Sequence, residues 1–335
     1  MALRVGIIGA GSIGCYVGAA LLMGGAEVSF LGRERIAAVA AEHGLRITDF
    51  RGLDHHLTSA QLSFYTDIAA MADRDCVIVT VKSGDTAAVA ADLAKVLNTR
   101  TIVISLQNGV GNAAVLQQAM PNNRVLPGMI GFNVLEGDKG CFHAGTDGEV
   151  IIQDAPIAQE LAGFFAASGT PFETHANMPS VLWSKLLLNL NNPINALSGV
   201  GLKEELSQRG YRLCLAALQR EALAAISAAN IPIQKLTAVP ARWLPAVLSL
   251  PDFVFRRLAQ PMLAIDPLAR SSMWEDLERG RKTEVEWLNG EVLRLAADYG
   301  IAAPINARVR ELIQLAEQGG RKDYSADELL AAIRA

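Results

Sequence analysis

A chain of 335 residues and 35.7 kDa has room for two domains, each with a substantial core. Apolar residues make up 51% and charged residues 19%, which excludes a disordered chain, and a net charge of −4 without a Lys/Arg stripe argues against nucleic-acid binding. Cys15, Cys76, Cys141 and Cys214 form no C-x-x-C pair and no His stands at ligand spacing from them. Disulfide and zinc frameworks are therefore unsupported, and reduced thiols in a cytoplasmic protein are expected.

Residues 3–8 read as a short buried strand, and Gly9-Ala10-Gly11-Ser12-Ile13-Gly14 as the turn opening a helix to about Met23. A second strand, Glu27 to Leu31, completes a right-handed βαβ unit. The glycines also break the apolar N-terminus that a signal segment would need, and no run reaches the roughly 18 apolar residues of a membrane span. Apolar runs at 76–81, 101–106 and 125–127 continue a parallel sheet, with helices at 86–97 and 112–120. Segment 148–153 reads as a late strand and 157–168 as the helix that closes the first domain. His55 and His56 fall in a polar segment read as a loop without catalytic meaning.

After about residue 175 the periodicity turns helical, with helices expected over 180–198, 203–229, 271–298 and 304–318 and a short last one capped by Ser325-Ala-Asp-Glu328. Between them, 231–267 carries prolines 232, 240, 245, 251, 261 and 267 among large apolar residues, which predicts short helices broken at proline. Trp243, Phe253 and Phe255 there suit a subunit contact in a homodimer, a pocket lid or buried packing. The expected fold is an α/β Rossmann-like doubly wound parallel sheet over 1–172, followed by an all-α C-terminal domain over 173–335.

The glycines of G-x-G-x-x-G have separate tasks. Gly9 makes the tight turn, Gly11 lets a pyrophosphate approach the backbone, and Gly14 lets helix and strand pack closely, while the helix N-terminus offers N–H groups to phosphate. Residues 9–14 are thus the expected dinucleotide site. The end of the second strand, Phe30-Leu-Gly32-Arg33-Glu34-Arg35, has no acid at 32, and Arg33 is available to a 2′-phosphate, so NADP(H) is favoured over NAD(H). Alternatively, Arg33 and Arg35 are solvated and Glu34 replaces the acid. Lys82 and Asn108, in loops after later strands, are expected to approach the nicotinamide side, although Asn108-Gly109 is also a plain turn signal.

Segment 180–199 sets Lys185 among Asn189, Asn191, Asn192 and Asn195 on a helix where Glu, Lys, Arg and Gln are the usual surface residues. At 100° per residue Lys185, Asn189 and Asn192 fall within about 60° of one another, placing one proton donor beside neutral amides. Pro193 has no N–H for the carbonyl of residue 189, which predicts a kink at 189–193. Further on, Ser272-x-x-Glu275 and Thr283-x-x-Glu286 read as capping boxes.

Taken in order, Gly9-x-Gly11-x-x-Gly14, Val81-Lys82, Gln107-Asn108-Gly109-x-Gly111, Leu182-Trp183-x-Lys185-Leu-x-x-Asn189, Ser271-Ser272-Met273, and Lys282-Thr283-Glu284-Val285 with Asn289-Gly290 resemble the ketopantoate (2-dehydropantoate 2-) reductase family over nearly the whole chain. The resemblance implies NADPH-dependent reduction of a small branched 2-oxo acid, ketopantoate to pantoate, in a cleft between the domains. It makes Lys185 the general acid and Glu284 its hydrogen-bonding partner at the nascent hydroxyl. Asn189 would hold substrate polar groups and Ser272 the substrate carboxylate, with Lys82 and Asn108 near the reacting group. In the family a second Asn stands eight residues after the lysine and precedes Pro; here Asn192-Pro193 stands at seven and eight, and Asn192 is taken as its counterpart. The family's frequent Asn before the serine pair is absent from Pro267-Leu-Ala269-Arg270. Other readings are a reductase of a related 2-oxo or 3-oxo acid, and a non-enzymatic NADPH sensor.

Overall fold

The computed structural model describes residues 2–236, 239–258 and 269–335, which divide into two compact units, Met1–Met178 and Pro179–Ala335.

In the first unit the apolar runs become strands: β1 Arg4–Ile8, β2 Glu27–Leu31, β6 Cys76–Val79, β7 Ile102–Ser105 and β8 Val125–Ile130. They join β5 Ser63–Tyr65, β11 Val150–Gln153 and β12 Phe172–His175 in an eight-stranded sheet of order β12-β11-β8-β7-β6-β1-β2-β5. All neighbours run parallel except β8 and β11, so the sheet is parallel from β5 to β8. Successive residues of the inner strands feed opposite cores, as a sheet covered on both faces requires. Val5, Ile7, Cys76, Ile78 and Ile104 join one core, with residues of α1 Ser12–Met23 and α5 Pro156–Ser168. Ile8, Val77, Val79 and Val103 join the other, with α3 Thr86–Val96 and α4 Asn112–Ala119. The chain leaves β1 towards β2 on one side and returns to β6 on the other, so ligand-binding loops belong at the carboxyl ends of β1 and β6.

A second sheet, absent from the sequence expectation, follows α2 Glu34–His43. It has the order β4-β3-β10-β9, from β3 Leu45–Asp49, β4 Asp54–Leu57, β9 Val134–Glu136 and β10 Cys141–Ala144. His55 and His56 therefore lie in a strand and not in a loop; they pair with Ile47 and Arg46, and the Arg46–Asp54 ion pair lies across the same two strands. The four cysteines are free thiols, and burial pushes Cys15 and Cys76 well above the usual thiol range.

The second unit is helical among its described residues. It holds α7 Asn191–Ser198, α8 Leu202–Ser207, α9 Arg209–Ala228, α10 Leu244–Leu248, α11 Asp252–Leu258, α12 Ser272–Glu278, α13 Val285–Asp298, α14 Pro304–Glu317 and α15 Ala326–Ala332, preceded by α6 Met178–Asn189 at its start. Three expected helices are interrupted. The 203–229 helix breaks at Gln208, whose backbone is extended. The 271–298 helix ends at Arg279, where Gly280 takes φ +60°, its N–H reaches Leu277 O, and Arg281 N donates to Asp276 O at 2.8 Å, the Schellman arrangement. The 180–198 helix breaks at Leu190, and Pro193 falls in the first turn of α7, where no helical N–H is required. That break falls within 189–193, the segment where the kink is expected. In the proline-rich segment Pro240 precedes a 3-10 turn at Ala241–Trp243, and Pro251 separates α10 from α11, as expected; Pro261 and Pro267 lie outside the described residues. Phe255 is buried against the guanidinium of Arg212, 4.0 Å from its ring centroid, whereas Trp243 and Phe253 are exposed.

No helix among the described residues is long and apolar enough to cross a membrane, and those residues contain no His/Cys/Asp/Glu cluster able to hold a metal.

Candidate active site

The glycine turn is built as its sequence requires. Gly9 has φ +99° and a Cβ there would sit 2.7 Å from Val81, so only glycine fits. A Cβ on Gly14 would lie 2.2 Å from the Gly9 carbonyl oxygen and 2.7 Å from Thr80 Oγ1, which is why α1 can approach β1 and β6 so closely. Gly11 differs: a Cβ there meets nothing within 4 Å. The space above Gly11, beside an α1 N-terminus with no side-chain cap, is the cradle a pyrophosphate needs. Gly9 N and Ala10 N both donate to Leu31 O at 3.0 Å, and Thr80 Oγ1 donates to Gly9 O at 2.8 Å, fixing the turn to both neighbouring strands. Ser12 and Ile13 open the helix at this mouth.

Position 32, where an NAD-binding chain would carry an acid, is glycine for a packing reason. A Cβ on Gly32 would lie 2.6 Å from Ala10 Cβ, so a side chain here would push into the turn. Arg33 is exposed at the N-cap of α2, and Glu34 is exposed in that helix's first turn. Arg35 is engaged elsewhere, 2.8 Å from Glu136 of β9.

Lys82 and Asn108 are exposed at the ends of the β6 and β7 loops, and a buried polar lattice the sequence reading missed holds those loops together. Gln107 Nε2 donates to Val81 O at 3.0 Å and to Thr86 Oγ1 at 2.7 Å, and Thr86 Oγ1 donates to Asn112 Oδ1 at 2.8 Å. Asn108 O accepts from Ser83 Oγ at 3.0 Å and from Asn112 Nδ2 at 2.6 Å. The backbone at Asn108 is thus pinned while its side chain faces outward, and the signal was the spacing of Gln107, Asn108 and Asn112 around Gly109, which has φ +86°.

In the second unit Lys185 lies on α6, half-buried, and burial lowers its ammonium from 10.5 to about 8. Its neighbour Ser184 anchors the helix, donating to Ser180 O at 2.7 Å and accepting from Gln234 N at 2.8 Å. Asn189 ends α6 and Asn192 lies in α7; both are half-buried. The break at Leu190 means that the turn, and not helical periodicity, sets Asn192 relative to Lys185.

Ser272 is the exposed first residue of α12, and the true N-cap is Ser271, whose hydroxyl accepts from Trp274 N at 3.1 Å. The expected Ser272–Glu275 capping box therefore does not form, and the Ser272 side chain is left outside the cap. Ser271 joins α12 to α7: its Oγ donates to Asn192 O at 3.2 Å and its N to Asn195 Oδ1 at 2.8 Å. Glu284, half-buried, is the N-cap residue of α13 and makes no side-chain cap bond. The Thr283–Glu286 box does not form either. Thr283 N and Oγ1 instead donate to Glu317 Oε1 at 2.8 and 2.7 Å, which anchors the backbone next to Glu284 on α14. Asn289 likewise serves packing, donating to Asn306 Oδ1 at 3.1 Å, while Asn306 Nδ2 donates to Glu221 at 2.8 Å.

Residues 5–156 match the family profile described as ketopantoate reductase PanE/ApbA, and residues 177–317 match the one described as its C terminal domain. The chain belongs to the ketopantoate reductase family. A 2-dehydropantoate 2-reductase of Halobacterium salinarum is 31% identical over 95% of this chain and 100% of its own length. One from Archaeoglobus fulgidus is 30% identical over 94% and 98%. Among solved structures, a PanE/ApbA family ketopantoate reductase from Ralstonia eutropha JMP134 superimposes with a TM-score of 0.80 at 28% identity, covering 95% of this chain and 99% of that one. As a ketopantoate reductase family member the protein is an oxidoreductase that acts on a CH–OH group with a nicotinamide cofactor.

Proposed function

We propose that this protein reduces 2-dehydropantoate to (R)-pantoate with NADPH, the step that supplies pantoate for pantothenate and coenzyme A synthesis, in the cytoplasm. The observation that carries the proposal is Lys185: a half-buried lysine on a broken asparagine-rich helix, its ammonium brought to about 8 by burial. The unit Met1–Met178, which keeps β12 in its sheet and so extends past the 172/173 boundary expected from sequence, acts as the NADP-binding domain, and Pro179–Ala335 as the substrate domain. Residues 9–14 hold the pyrophosphate, and Arg33 pairs with the 2′-phosphate. When bound, the reduced nicotinamide supplies a hydride to the carbonyl carbon.

The chain's own residues manage the oxygen and the carboxylate. Reduction develops negative charge on the carbonyl oxygen; Lys185 stabilises that charge and then transfers its proton to the oxygen. A pKa near 8 suits this role, because the group is protonated at neutral pH and still a competent acid. Glu284 accepts a hydrogen bond from the nascent hydroxyl or from Lys185, and Asn189 and Asn192 donate to substrate oxygens. Ser272, left outside the helix cap by Ser271, donates to the substrate carboxylate, while Lys82 and Asn108 line the nicotinamide side.

The test is NADPH oxidation with a panel of 2-oxo and 3-oxo acids. The proposal expects ketopantoate to give the highest kcat/KM. A preference for another oxo acid would reassign the substrate, and no turnover with intact NADPH binding would make the protein a sensor.

A further inference from the structure

Lys82 and Asn108 stand on two loops, one after β6 and one after β7, and neither residue belongs to a strand or a helix. Asn112, the buried first residue of α4, ties these loops together. Its Nδ2 donates to Asn108 O at 2.6 Å and to Ser83 Oγ at 3.1 Å, and Ser83 Oγ donates to the same Asn108 carbonyl at 3.0 Å. The three groups close a triangle with the residue after Lys82 at one corner and Asn108 at another. At the far end of the amide, Asn112 Oδ1 accepts from Thr86 Oγ1 at 2.8 Å, and Thr86 Oγ1 accepts from Gln107 Nε2 at 2.7 Å.

The direction of every bond in this chain is fixed. A backbone carbonyl only accepts, so Val81 O requires Gln107 Nε2 to face it, and Asn108 O requires Asn112 Nδ2. Gln107 Oε1 is left to accept from Ser105 Oγ at 3.1 Å, and Thr86, having accepted from Gln107, donates to Asn112. Turning the Asn112 amide would set two acceptors 2.6 Å apart at Asn108 O. Ser83, Thr86, Ser105, Gln107 and Asn112 are all buried, so water does not compete for these bonds.

We propose that Asn112 is a positioning residue for hydride transfer: by tying Ser83 to the Asn108 carbonyl it holds the loops of Lys82 and Asn108 as one platform for the nicotinamide end of the cofactor. The phosphate end has other supports. Gly9 N and Ala10 N donate to Leu31 O, Thr80 Oγ1 donates to Gly9 O, and none of the bonds in the Asn112 chain ends on residues 9–14. The two ends of the dinucleotide site can therefore be loosened separately. The role rests on the proposed reading that Lys82 and Asn108 line the nicotinamide side, and the experiment tests the two apart.

Asn112→Asp keeps the side-chain length and the acceptor for Thr86 but loses the donor to Asn108 O. In the full-length variant kcat for oxo-acid reduction is expected to fall about 100-fold, as misplacement by about 1 Å does. Its affinity for NADPH should weaken about tenfold, while its affinity for 2′-phospho-ADP-ribose, which lacks the nicotinamide, stays within about twofold. A merely structural role would weaken both ligands alike. Equal losses therefore overturn the proposal, as does a kcat or an NADPH affinity within about twofold of wild type. Should Asn112→Asp not fold, Ser83→Ala decides, because it removes one of the two donors to Asn108 O. It should weaken NADPH about threefold and leave the fragment unchanged; equal effects, or none, overturn the proposal. Lys82→Ala and Asn108→Ala, measured alongside, separate the two readings. If they slow turnover and Asn112→Asp does not, the positioning role fails alone; if none of the three does, the nicotinamide-side assignment fails with it. A wild type inert on every oxo acid would refute the proposed substrate and leave the two affinities to decide on Asn112.

Discussion

Replacing Lys185 with Met removes the proposed general acid, and its burial in the structure sets what else should follow. Lowering the ammonium from 10.5 to about 8 corresponds, at about 1.4 kcal/mol per tenfold change, to roughly 3 kcal/mol against the charged form in the folded state. Because the residue is only half-buried, about 2 kcal/mol is the better expectation. The sign follows from which state holds the proton. Below pH 8 both folded and unfolded chains carry the ammonium and the burial cost is fully present; between about 8 and 10.5 only the unfolded chain stays charged, and the cost is relieved. Wild type should therefore gain on Lys185→Met as pH rises from 7 to 10, by about 4–8 °C in the melting temperature of a unit of this size. In parallel, kcat/KM for oxo-acid reduction by the wild type should fall above about pH 8, approaching tenfold per pH unit, while the variant loses about 10²–10⁴-fold at pH 7 with NADPH binding retained. Thermal melts at pH 7 and 10, with absorbance assays from pH 6.5 to 9.5, measure both. A wild-type rate flat across that range, together with an unchanging melting gap, would refute the acid assignment.

The glycine turn allows a paired comparison. Gly14→Ala drives a Cβ to 2.2 Å from the Gly9 carbonyl and should cost at least about 2–3 kcal/mol in chemical denaturation, together with cofactor binding. Gly11→Ala meets open space, so stability should change by less than about 1 kcal/mol while NADPH titration shows affinity lost; unaltered affinity would mean the cradle is not used. Arg33→Ala should weaken NADPH about tenfold or more and leave NADH nearly unchanged, and equal effects on the two would remove Arg33 from the cofactor assignment. Arg212→Met leaves the carbonyls of Leu206, Leu248 and Leu250 without their donor and Phe255 without its cation, so urea denaturation should record about 3–5 kcal/mol lost; a loss under about 1 kcal/mol would show that the guanidinium does not anchor α10 and α11.

The elements legible in the chain were those whose signals are local. The Gly9–Gly14 turn between an apolar strand and a helix, the buried runs at β6 and β7, and the proline in the first turn of α7 each report their own backbone. The helix break at Gly280 was equally local but lay inside a strong helical period that masked it. The second sheet was not legible, because β3 and β10 are strands of five and four residues that include polar ones, and their register is set by each other across a long stretch of chain, Arg46 opposite Cys141. His55 and His56 became strand residues only because β3 was there to pair with them.

For the site, residue chemistry marked Lys185, Asn189 and Asn192, a lysine among amides, and the family resemblance added Ser272 and Glu284. Their support was not visible. The Gln107–Thr86–Asn112 lattice, the Glu317 anchor at Thr283 and the buried Glu205–Asn195–Ser271 chain each join residues from separate elements, by hydrogen bonds whose donors and acceptors meet only after the helices have packed. Sequence alone determined which groups are present and the local turns that carry them; tertiary packing decided which of those groups are buried and bonded, and burial is what moves Lys185 towards neutral pH.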